Sequence, residues 1–326
     1  MAEPKFRIHI DFAFSNAAKE LLRSEAAGHE LIFATGVAAS VLAAPKLHPE
    51  ILTADVAVGQ PMPAEIAQAS RLRWVQVTSA GITRYDTAEF RALAAARDLQ
   101  VSNCSQVYAQ PCAEHVFSFM LAQSRRLPEI LGQRISNAAP EWWAARSRMT
   151  SLQNQSVLIV GYGAIARKLV EFLAPFQARI AAYRRSPRGD EGVPVVTASE
   201  LPAALGAADH VVNILPASAE TERFFNADRF RAMKAGAVFS NIGRGTTVDQ
   251  DALLEALRTG HLGAVWLDVT EPEPLPDDHP LWQEANCFIT PHVAGGQRNE
   301  EEAVARHFLN NLRRFEKGEP LVDRVM

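Results

Sequence analysis

The 326-residue sequence contains little cysteine: Cys104, Cys112 and Cys287 are its only three, and no two of them form a CxxC pair. An odd number of widely spaced cysteines argues against a disulfide framework and against a zinc site. The pattern is typical of buried thiols in a reducing compartment, and it predicts no metal centre.

The sequence also lacks an apolar run of the roughly 18 residues that a membrane-spanning helix needs. Its opening stretch, MAEPKFRIHIDF, leads into a predicted strand and shows no signal-peptide core. The formal net charge is −4, which disfavours nucleic acid as a partner. We therefore expect a cytoplasmic globular protein with no membrane partner and no nucleic-acid partner, long enough for about two domains.

Short apolar runs alternate with helix-like segments along most of the chain. Strands separated by helical segments predict βαβ units and parallel sheets. The predicted strands are Phe6–Phe12, Leu31–Ala34, Val56–Val58, Trp74–Val77, Val101–Asn103, Val157–Val160, Arg179–Tyr183, Val211–Leu215, Ala237–Asn241, Val265–Val269 and Phe288–Thr290.

The predicted strands form two sets, separated by a stretch from Val107 to Ser151 that has helical character. A last helix is predicted over Glu300–Lys317, because Gly318 and Pro320 follow it. It lies far in sequence from the first set of strands, and we expect it to pack on that set.

A glycine-rich turn joins one predicted strand to the next helix in SVLIVGYGAIARKLVEFL. Gly161 permits a tight turn, Gly163 allows a pyrophosphate to approach the backbone, and Ala166 lets the helix pack close to the strand. The turn from Gly161 through Tyr162, Gly163, Ala164 and Ile165 is therefore a predicted dinucleotide site at a helix N-terminus. A glycine-rich βα turn without a ligand is the alternative.

The next strand ends at a basic corner, Tyr183 to Arg188. An NAD site has an acidic residue about 20 positions after the first glycine, to bind the ribose 2′-hydroxyl. No carboxylate is present in this segment, which instead carries Arg184, Arg185, Ser186 and Arg188. Guanidinium groups bind a 2′-phosphate, so the corner predicts NADP(H) as the preferred cofactor, with NAD(H) as the alternative.

Three later segments each follow a predicted strand. Ligands of parallel sheets bind outside the carboxyl ends of strands. The segments supply a fixed cation, carboxylates and an imidazole, which are the groups that reduction of a carbonyl by hydride requires. They are Asn241–Gly245, Leu267–Pro274 and Thr290–Gly295.

These motifs resemble the D-isomer-specific 2-hydroxyacid dehydrogenase family over almost the whole chain. The most specific parts are SVLIVGYGAIA, NIGRGTTVD, GAVWLDVTEPEPLP and TPHVAGG, which occur in the family's order. LRWVQVTSAGI and AEHVFSFMLAQSRRLP are weaker matches. The basic corner is similar to the glyoxylate/hydroxypyruvate reductase branch.

The resemblance implies a role for each matching residue. Arg244 corresponds to the substrate-binding arginine and His292 to the acid/base histidine. Glu273 corresponds to the partner of the histidine, with Glu271 as the lesser candidate, and His115 receives no chemical role. The resemblance also implies that Ser79, Ala80 and Gly81 contact the substrate carboxylate. The residues that it implies contact the dinucleotide are Leu215, Pro216, Ile242, Gly243, Arg244, Asp268, His292 and Ala294.

The family fold implies two doubly wound parallel-sheet domains, Rossmann-like and flavodoxin-like, with the active site in the cleft between them. The substrate domain would comprise residues 1–106 and 295–326, and the dinucleotide domain residues 107–294. Family members are usually homodimers, and Trp142 and Trp143 fall in the segment that contributes to that contact. One of the two, with Trp142 taken as the candidate, would then reach the partner's active site and limit substrate size; a core or surface tryptophan pair is the alternative.

The function implied is reversible reduction of a small 2-keto acid, such as glyoxylate or hydroxypyruvate, to the D-2-hydroxy acid with NADPH. Thr83 and Gln297 depart from the family's usual residues, which leaves the substrate open. The alternatives are an NAD-preferring family enzyme that acts on another 2-hydroxy acid, on formate or on phosphite, and a dinucleotide-sensing scaffold without catalysis.

Overall fold

The structure is a computed structural model, which describes residues 5–35, 37, 48–131, 133 and 135–326. The first four residues of the predicted N-terminal lead-in lie outside the described residues. In these ranges no helix combines the length and the hydropathy needed to cross a bilayer. The chain divides into two compact units, one formed by Met1–Tyr108 with Gly296–Met326 and the other by Ala109–Gly295.

The discontinuous unit contains a five-stranded sheet in which every pair of neighbours is parallel. Its strand order, β2-β1-β3-β4-β5, is the flavodoxin-like doubly wound order. The three central strands of this sheet are fully or largely buried, as expected when helices cover both faces of a sheet. They are β1 (Arg7–Asp11), β2 (Glu30–Phe33), β3 (Val56–Gly59), β4 (Trp74–Val77) and β5 (Gln100–Ser102).

The other unit contains a seven-stranded parallel sheet in the order β12-β11-β10-β9-β6-β7-β8. Its first strand, β6, pairs with both β7 and β9, so the chain reverses its winding direction beside β6. That reversal is where a Rossmann sheet binds a dinucleotide. The strands are β6 (Ser156–Val160), β7 (Arg179–Tyr183), β8 (Val195–Val196), β9 (His210–Asn213), β10 (Val238–Asn241), β11 (Ala264–Leu267) and β12 (Cys287–Ile289).

Several helices begin at a residue whose side chain caps the first helical turn. The Ser15 hydroxyl accepts a hydrogen bond from Ala18 N–H at 3.3 Å, and Asp249 accepts one from Ala252 N–H. The helices are α1 (Asn16–Glu25), α2 (Pro63–Gln68), α3 (Ala88–Ala96), α4 (Ser105–Ser124), α5 (Leu127–Ile130), α6 (Pro140–Ser147), α7 (Ala164–Leu173), α8 (Leu201–Ala207), α9 (Ala227–Ala232), α10 (Gln250–Arg258) and α11 (Glu300–Lys317).

The core of the seven-stranded unit is rich in aromatic side chains. Phe225 contacts Phe239 with ring centroids 4.7 Å apart, and Phe230 packs on Phe239 at 5.3 Å. In a separate hydrophobic cluster, the Trp266 ring of β11 stacks on the Phe119 ring of α4, with ring centroids 4.5 Å apart. This contact packs α4 on the sheet. These packed rings provide a rigid base for the loops at the carboxyl ends of the strands.

The predicted fold class is confirmed, since both sheets are parallel and doubly wound. Every predicted strand is present, and α11 has the predicted bounds. Strand β8 was missed because its two residues give no readable pattern. The strand predicted to reach Leu215 ends at Asn213 instead, because the Asn213 side chain accepts a hydrogen bond from Leu215 N–H at 3.1 Å and turns the chain.

Candidate active site

The turn after β6 has the tight geometry that its first glycine was predicted to allow. Gly161 has a φ of 95°, and its N–H donates to the Tyr183 carbonyl at 2.9 Å. A Cβ at this position would lie 2.8 Å from the Ile214 carbonyl oxygen. Only glycine fits here, because the backbone conformation and the neighbouring chain both exclude a side chain.

The helix that follows this turn begins without a side-chain cap. Gly163 is the N-cap residue of α7, and an added Cβ would meet no atom within 4 Å. Ala164 and Ile165 form the first helical turn, whereas Ala166 is fully buried against the sheet. An open approach to uncapped N–H groups at a helix N-terminus suits the pyrophosphate of a dinucleotide.

The corner after β7 contains a carboxylate, contrary to the expectation from the sequence. Glu191 Oε1 accepts a hydrogen bond from Arg184 Nη1 at 2.8 Å, and only 3% of the glutamate side chain is exposed. The expectation was wrong because Glu191 lies three positions after Arg188 in sequence, and the loop folds it back onto the strand end. The corner is therefore basic but includes one buried negative charge.

The other basic residues of this corner are exposed. Arg185 pairs with Glu220, but the two side chains are 73% and 68% exposed, so the pair is a weak surface interaction. Ser186 and Arg188 also lie at the surface. These groups are accessible to a ligand that binds at the end of β7.

Two buried asparagines join the loops that follow β9 and β10. Asn213 Nδ2 donates to Asn241 Oδ1 at 3.0 Å and to Thr247 Oγ1 at 2.7 Å. The Asn241 amide oxygen accepts from Gly243 N–H at 3.0 Å. A Cβ on Gly243 would lie 2.5 Å from the Leu215 carbonyl oxygen, so the two loops are in backbone contact.

The segments predicted to border the dinucleotide therefore lie together at this edge of the sheet. Leu215 and Ile242 are buried, and the Pro216 carbonyl accepts a hydrogen bond from Thr221 Oγ1 at 2.6 Å. Sequence reasoning missed Asn213 and Thr247. A buried asparagine at a strand end was the available signal.

Arg244 projects from a backbone that is held on both sides. Its carbonyl accepts hydrogen bonds from Asn241 Nδ2 at 3.1 Å and Thr247 Oγ1 at 2.6 Å. Burial lowers the pKa of the guanidinium, while the charge of Glu273 acts in the opposite direction. Arg244 remains a cation, because an arginine in a protein does not lose its proton at neutral pH.

His292 and Glu273 are in direct contact, through Nδ1 of the imidazole and Oε1 of the carboxylate. Glu271 is exposed, and its backbone pairs with the side chain of Gln250 instead. Of the two candidate glutamates, Glu273 is therefore the one that contacts the histidine. A carboxylate on one ring nitrogen fixes the orientation and the tautomer of an imidazole.

Asp268 organises the loop that carries His292. Its buried carboxylate accepts hydrogen bonds from Val293 N–H and Ala294 N–H, both at 2.9 Å, and from Thr290 Oγ1 at 2.6 Å. The Asp268 carbonyl accepts from His292 N–H at 2.9 Å. Asp268 thus supports the histidine through the backbone around it, without touching the imidazole.

His115, which received no role from the sequence, lies behind this loop. Its Nε2 is 3.1 Å from Thr290 Oγ1 and 3.6 Å from Asp268 Oδ1. Burial lowers the pKa of His115, and the charge of Asp268 acts in the opposite direction. The imidazole is therefore part of the packing beneath the Thr290–Ala294 segment.

In the discontinuous unit, three side-chain hydrogen bonds hold the predicted carboxylate-binding loop. Asn103 Nδ2 donates to Ala80 O at 2.7 Å, Ser79 Oγ donates to Gly81 O at 2.7 Å, and Gln60 Nε2 donates to Ser79 Oγ at 3.0 Å. Within the described ranges, the backbone N–H groups of Ser79, Ala80 and Gly81 donate to no hydrogen-bond acceptor. They are available to an anion.

Trp142 is half-buried on α6, with its ring centroid 4.7 Å from that of Trp143 and the Arg146 guanidinium 5.1 Å from its ring. It lines a cavity with Ile130, Ile135 and Met149. No contact in the described part of the chain joins Trp142 to Arg244 or His292. Its predicted role in substrate size stays a prediction.

Comparison with known proteins identifies the family. The family model for the "D-isomer specific 2-hydroxyacid dehydrogenase, NAD binding domain" matches residues 117–294, which is more than half of the chain. The chain belongs to the D-isomer specific 2-hydroxyacid dehydrogenase family. The matched residues include the glycine-rich turn, the basic corner, Arg244, Glu273 and His292.

A curated relative and two solved structures agree with this membership. The "Glyoxylate reductase/hydroxypyruvate reductase" of Homo sapiens is 32% identical over 260 residues, 78% of this chain and 77% of the relative. A family protein from Aeromonas salmonicida has a TM-score of 0.77 at 30% identity, covering 98% of each chain. One from Xanthobacter autotrophicus, in complex with NADPH and MES, has a TM-score of 0.76 at 26% identity over 98% of each chain.

Family membership establishes the reaction class. The protein is an oxidoreductase that acts on CH–OH donors and uses a nicotinamide dinucleotide. Its curated relatives support interconversion of 2-keto and 2-hydroxy acids.

Proposed function

We propose that this dehydrogenase reversibly reduces a small 2-keto acid, of the glyoxylate or hydroxypyruvate class, to the D-2-hydroxy acid, with NADPH as preferred cofactor. The contact between His292 Nδ1 and Glu273 carries the proposal, because it supplies an oriented acid/base group at a strand end. The human relative is named for the same two keto acids.

His292 acts as the proton donor in the direction of reduction. Its Nδ1 is engaged by Glu273, and its Nε2 has no partner among the described residues. A protonated ring held in this way presents Nε2–H outward. It gives that proton to the alkoxide that develops as the carbonyl is reduced, and in the reverse direction Nε2 takes the proton back.

Arg244 binds the substrate and polarises its carbonyl. The guanidinium is largely withdrawn from water, which strengthens its interaction with a carboxylate or a developing negative charge. Hydrogen bonds from Asn241 and Thr247 hold the main-chain carbonyl of Arg244, and its Nη1 donates to the Gly243 carbonyl at 2.6 Å, before the substrate arrives. Such preorganisation lowers the barrier, since no reorientation is needed during the reaction.

The discontinuous unit is the substrate domain, and the Ser79–Gly81 loop binds the substrate carboxylate. The unengaged N–H groups support this role, because successive N–H groups form a concave anion site. The hydrogen bonds from Asn103, Gln60 and Ser79 hold the loop in the shape that presents these N–H groups.

Ala109–Gly295 is the dinucleotide domain, with the Gly161–Ile165 turn at the pyrophosphate. The bound nicotinamide dinucleotide supplies the hydride for reduction and accepts it in the reverse reaction. Leu215 and Pro216 border the adenosine side; Ile242, Gly243, Asp268 and Ala294 border the nicotinamide side.

The NADPH preference is assigned to Arg184, Arg185 and Ser186. Guanidinium groups form charge-assisted hydrogen bonds with phosphate, each worth roughly 1.5–3 kcal/mol, so even one favours NADPH by tenfold or more. Arg185 is exposed enough to reach a ligand. Arg184 is held in place by Glu191.

The protein acts in the cytoplasm as a homodimer, and Trp142 limits the size of its substrate. The exposed apolar side chains of Leu131 and Trp143 support the dimer, because they are 71% and 64% exposed and lie close in sequence. The Cys104 thiol, which forms no disulfide, suits a reducing compartment.

The test is a panel of 2-keto acids assayed with NADH and NADPH in parallel, with formate and phosphite assayed in the direction of oxidation. We expect oxidation of NADPH with glyoxylate or hydroxypyruvate, at a higher kcat/KM than with NADH. Turnover restricted to formate or phosphite would replace the proposed substrate class. Dinucleotide binding without turnover on any substrate would reassign the protein as a sensing scaffold.

A further inference from the structure

A buried carboxylate lies at the centre of the loop that follows β7. Glu191 Oε1 accepts hydrogen bonds from Arg184 Nη1 and Arg188 N–H, both at 2.8 Å, and Oε2 accepts one from Gly189 N–H at 2.9 Å. These donors lower the pKa of Glu191, first among them the Arg188 backbone N–H. One side chain thus determines the path of residues 184–191.

The same loop is attached to the dinucleotide turn. The Tyr162 hydroxyl donates to the Glu191 carbonyl, and the Tyr162 ring lies 5.3 Å from the Arg167 guanidinium. Arg167 in turn donates to the Asp190 carbonyl at 2.8 Å and to its carboxylate at 3.0 Å. The position of the basic corner is therefore set relative to the turn that would hold the pyrophosphate.

A carboxylate beside a phosphate site has two opposing effects. It repels the phosphate, and it holds the arginine that attracts the phosphate. Here both oxygens of Glu191 are occupied by protein donors, and only 3% of the side chain is exposed, so its charge is compensated within the loop. Arg184 uses only Nη1 for this pair, and no partner of its Nε or Nη2 occurs among the described residues. We conclude that holding Arg184 outweighs repulsion.

We infer that Glu191 is a positioning residue for cofactor choice: it orients Arg184 toward the 2′-phosphate of NADPH. The inference rests on the proposed NADPH preference. It adds a residue that makes no contact with the dinucleotide itself and acts through Arg184.

The experiment measures dissociation constants of NADPH and NADH for the full-length wild-type protein and for Glu191→Gln, by cofactor fluorescence. The amide removes the charge while keeping the size of the side chain. We expect NADPH binding to weaken about tenfold, the value of one charge-assisted hydrogen bond, and NADH binding to change less than about twofold. With saturating NADPH, kcat stays at the wild-type value.

Glu200→Gln is the matched control. Glu200 also accepts hydrogen bonds from a turn, from Thr197 N–H and Thr197 Oγ1, both at 2.7 Å, but it lies outside the basic corner. It should leave both dissociation constants unchanged. A double-mutant cycle with Arg184→Ala tests the route of action: in that background Glu191→Gln should weaken NADPH no further.

The outcomes separate the inference from the function on which it rests. If the wild-type protein prefers NADPH and the Glu191→Gln variant keeps the same preference, the inference is overturned and the proposed function is not. Tighter NADPH binding by the variant would overturn the inference too, because repulsion would then be the larger effect. Equal binding of NADPH and NADH by the wild-type protein would refute the proposed preference itself.

Discussion

At the scale of the residue, His292 has a backbone conformation that few side chains adopt. Its φ is 51°, in the left-handed region, and its N–H donates to the carbonyls of Asp268 and Thr290. Such a conformation costs about 1–3 kcal/mol and persists only where neighbouring contacts impose it. The carboxylate of Asp268 supplies those contacts through Val293 and Ala294, and the imidazole is thereby directed to Glu273.

His292→Ala should lower kcat by about 10²–10⁴-fold, the usual contribution of a general acid or base. Binding of NADPH should persist, because the turn after β6 and the basic corner are unchanged. Steady-state kinetics and a fluorescence titration measure the two quantities. His279→Ala, which removes a histidine that only caps a short turn, is the control, and a His292→Ala variant with wild-type kcat would remove His292 from the mechanism.

At the scale of the element, the loop after β10 presses against the loop after β11. A Cβ on Gly245 would lie 1.9 Å from the Thr270 carbonyl oxygen and 2.8 Å from Glu271 N. The contact is backbone to backbone, so a flexible side chain cannot relieve it. It connects the loop that carries Arg244 to the loop that carries Asp268 and Glu273, and so sets the spacing between the cation and the carboxylates.

Gly245→Ala should therefore separate these two loops. We expect a loss of about 1–3 kcal/mol in unfolding free energy, as for other overpacked sites, and a fall in kcat/KM of about tenfold or more from the misplaced Arg244. Thermal unfolding and steady-state kinetics measure both. Gly28→Ala is the control, since its added Cβ would meet nothing within 4 Å. Wild-type values for both variants would show that the contact yields without cost.

At the scale of the whole molecule, each unit contains a histidine that burial keeps neutral. Burial lowers the pKa of His9 to about 4 in the discontinuous unit, and that of His210 to about 4 in the other. An unfolded chain binds these protons near pH 6.5. Their contribution to stability is therefore present above about pH 6.5 and is lost as the pH falls toward about 4.

His210 gives the clearest test of this pH dependence. In the unit that contains His9, burial raises the pKa of Asp11 to about 6, and this shift opposes the effect of His9 on the unfolding free energy. We expect the unfolding free energy of the Ala109–Gly295 unit to fall between about pH 6.5 and about pH 4.5, by up to about 1.4 kcal/mol per pH unit from this group. His210→Gln should flatten that slope, as measured by urea unfolding at several pH values. An equal slope in the variant would show that His210 does not set it.

The local signals in the sequence were sufficient for much of this molecule. The order of strands and helices followed from apolar periodicity, and the turn at Gly161 was readable because strand, turn and helix are contiguous in sequence. The sequence also nominated Arg244 and His292 as candidates, because the segments that carry them follow predicted parallel strands, whose carboxyl ends share one edge of a sheet. Such features depend on a few neighbouring residues, so the sequence by itself determined them.

The tertiary structure alone decided which side chains meet. Glu273 rather than Glu271 contacts His292, because the course of a proline-rich loop selects between them. Glu191 reaches Arg184 across seven positions of irregular chain. Contacts of this kind depend on loop geometry and burial, which leave no periodic trace in a sequence, and the basic corner accordingly contains a carboxylate that reading the strand end alone did not reveal.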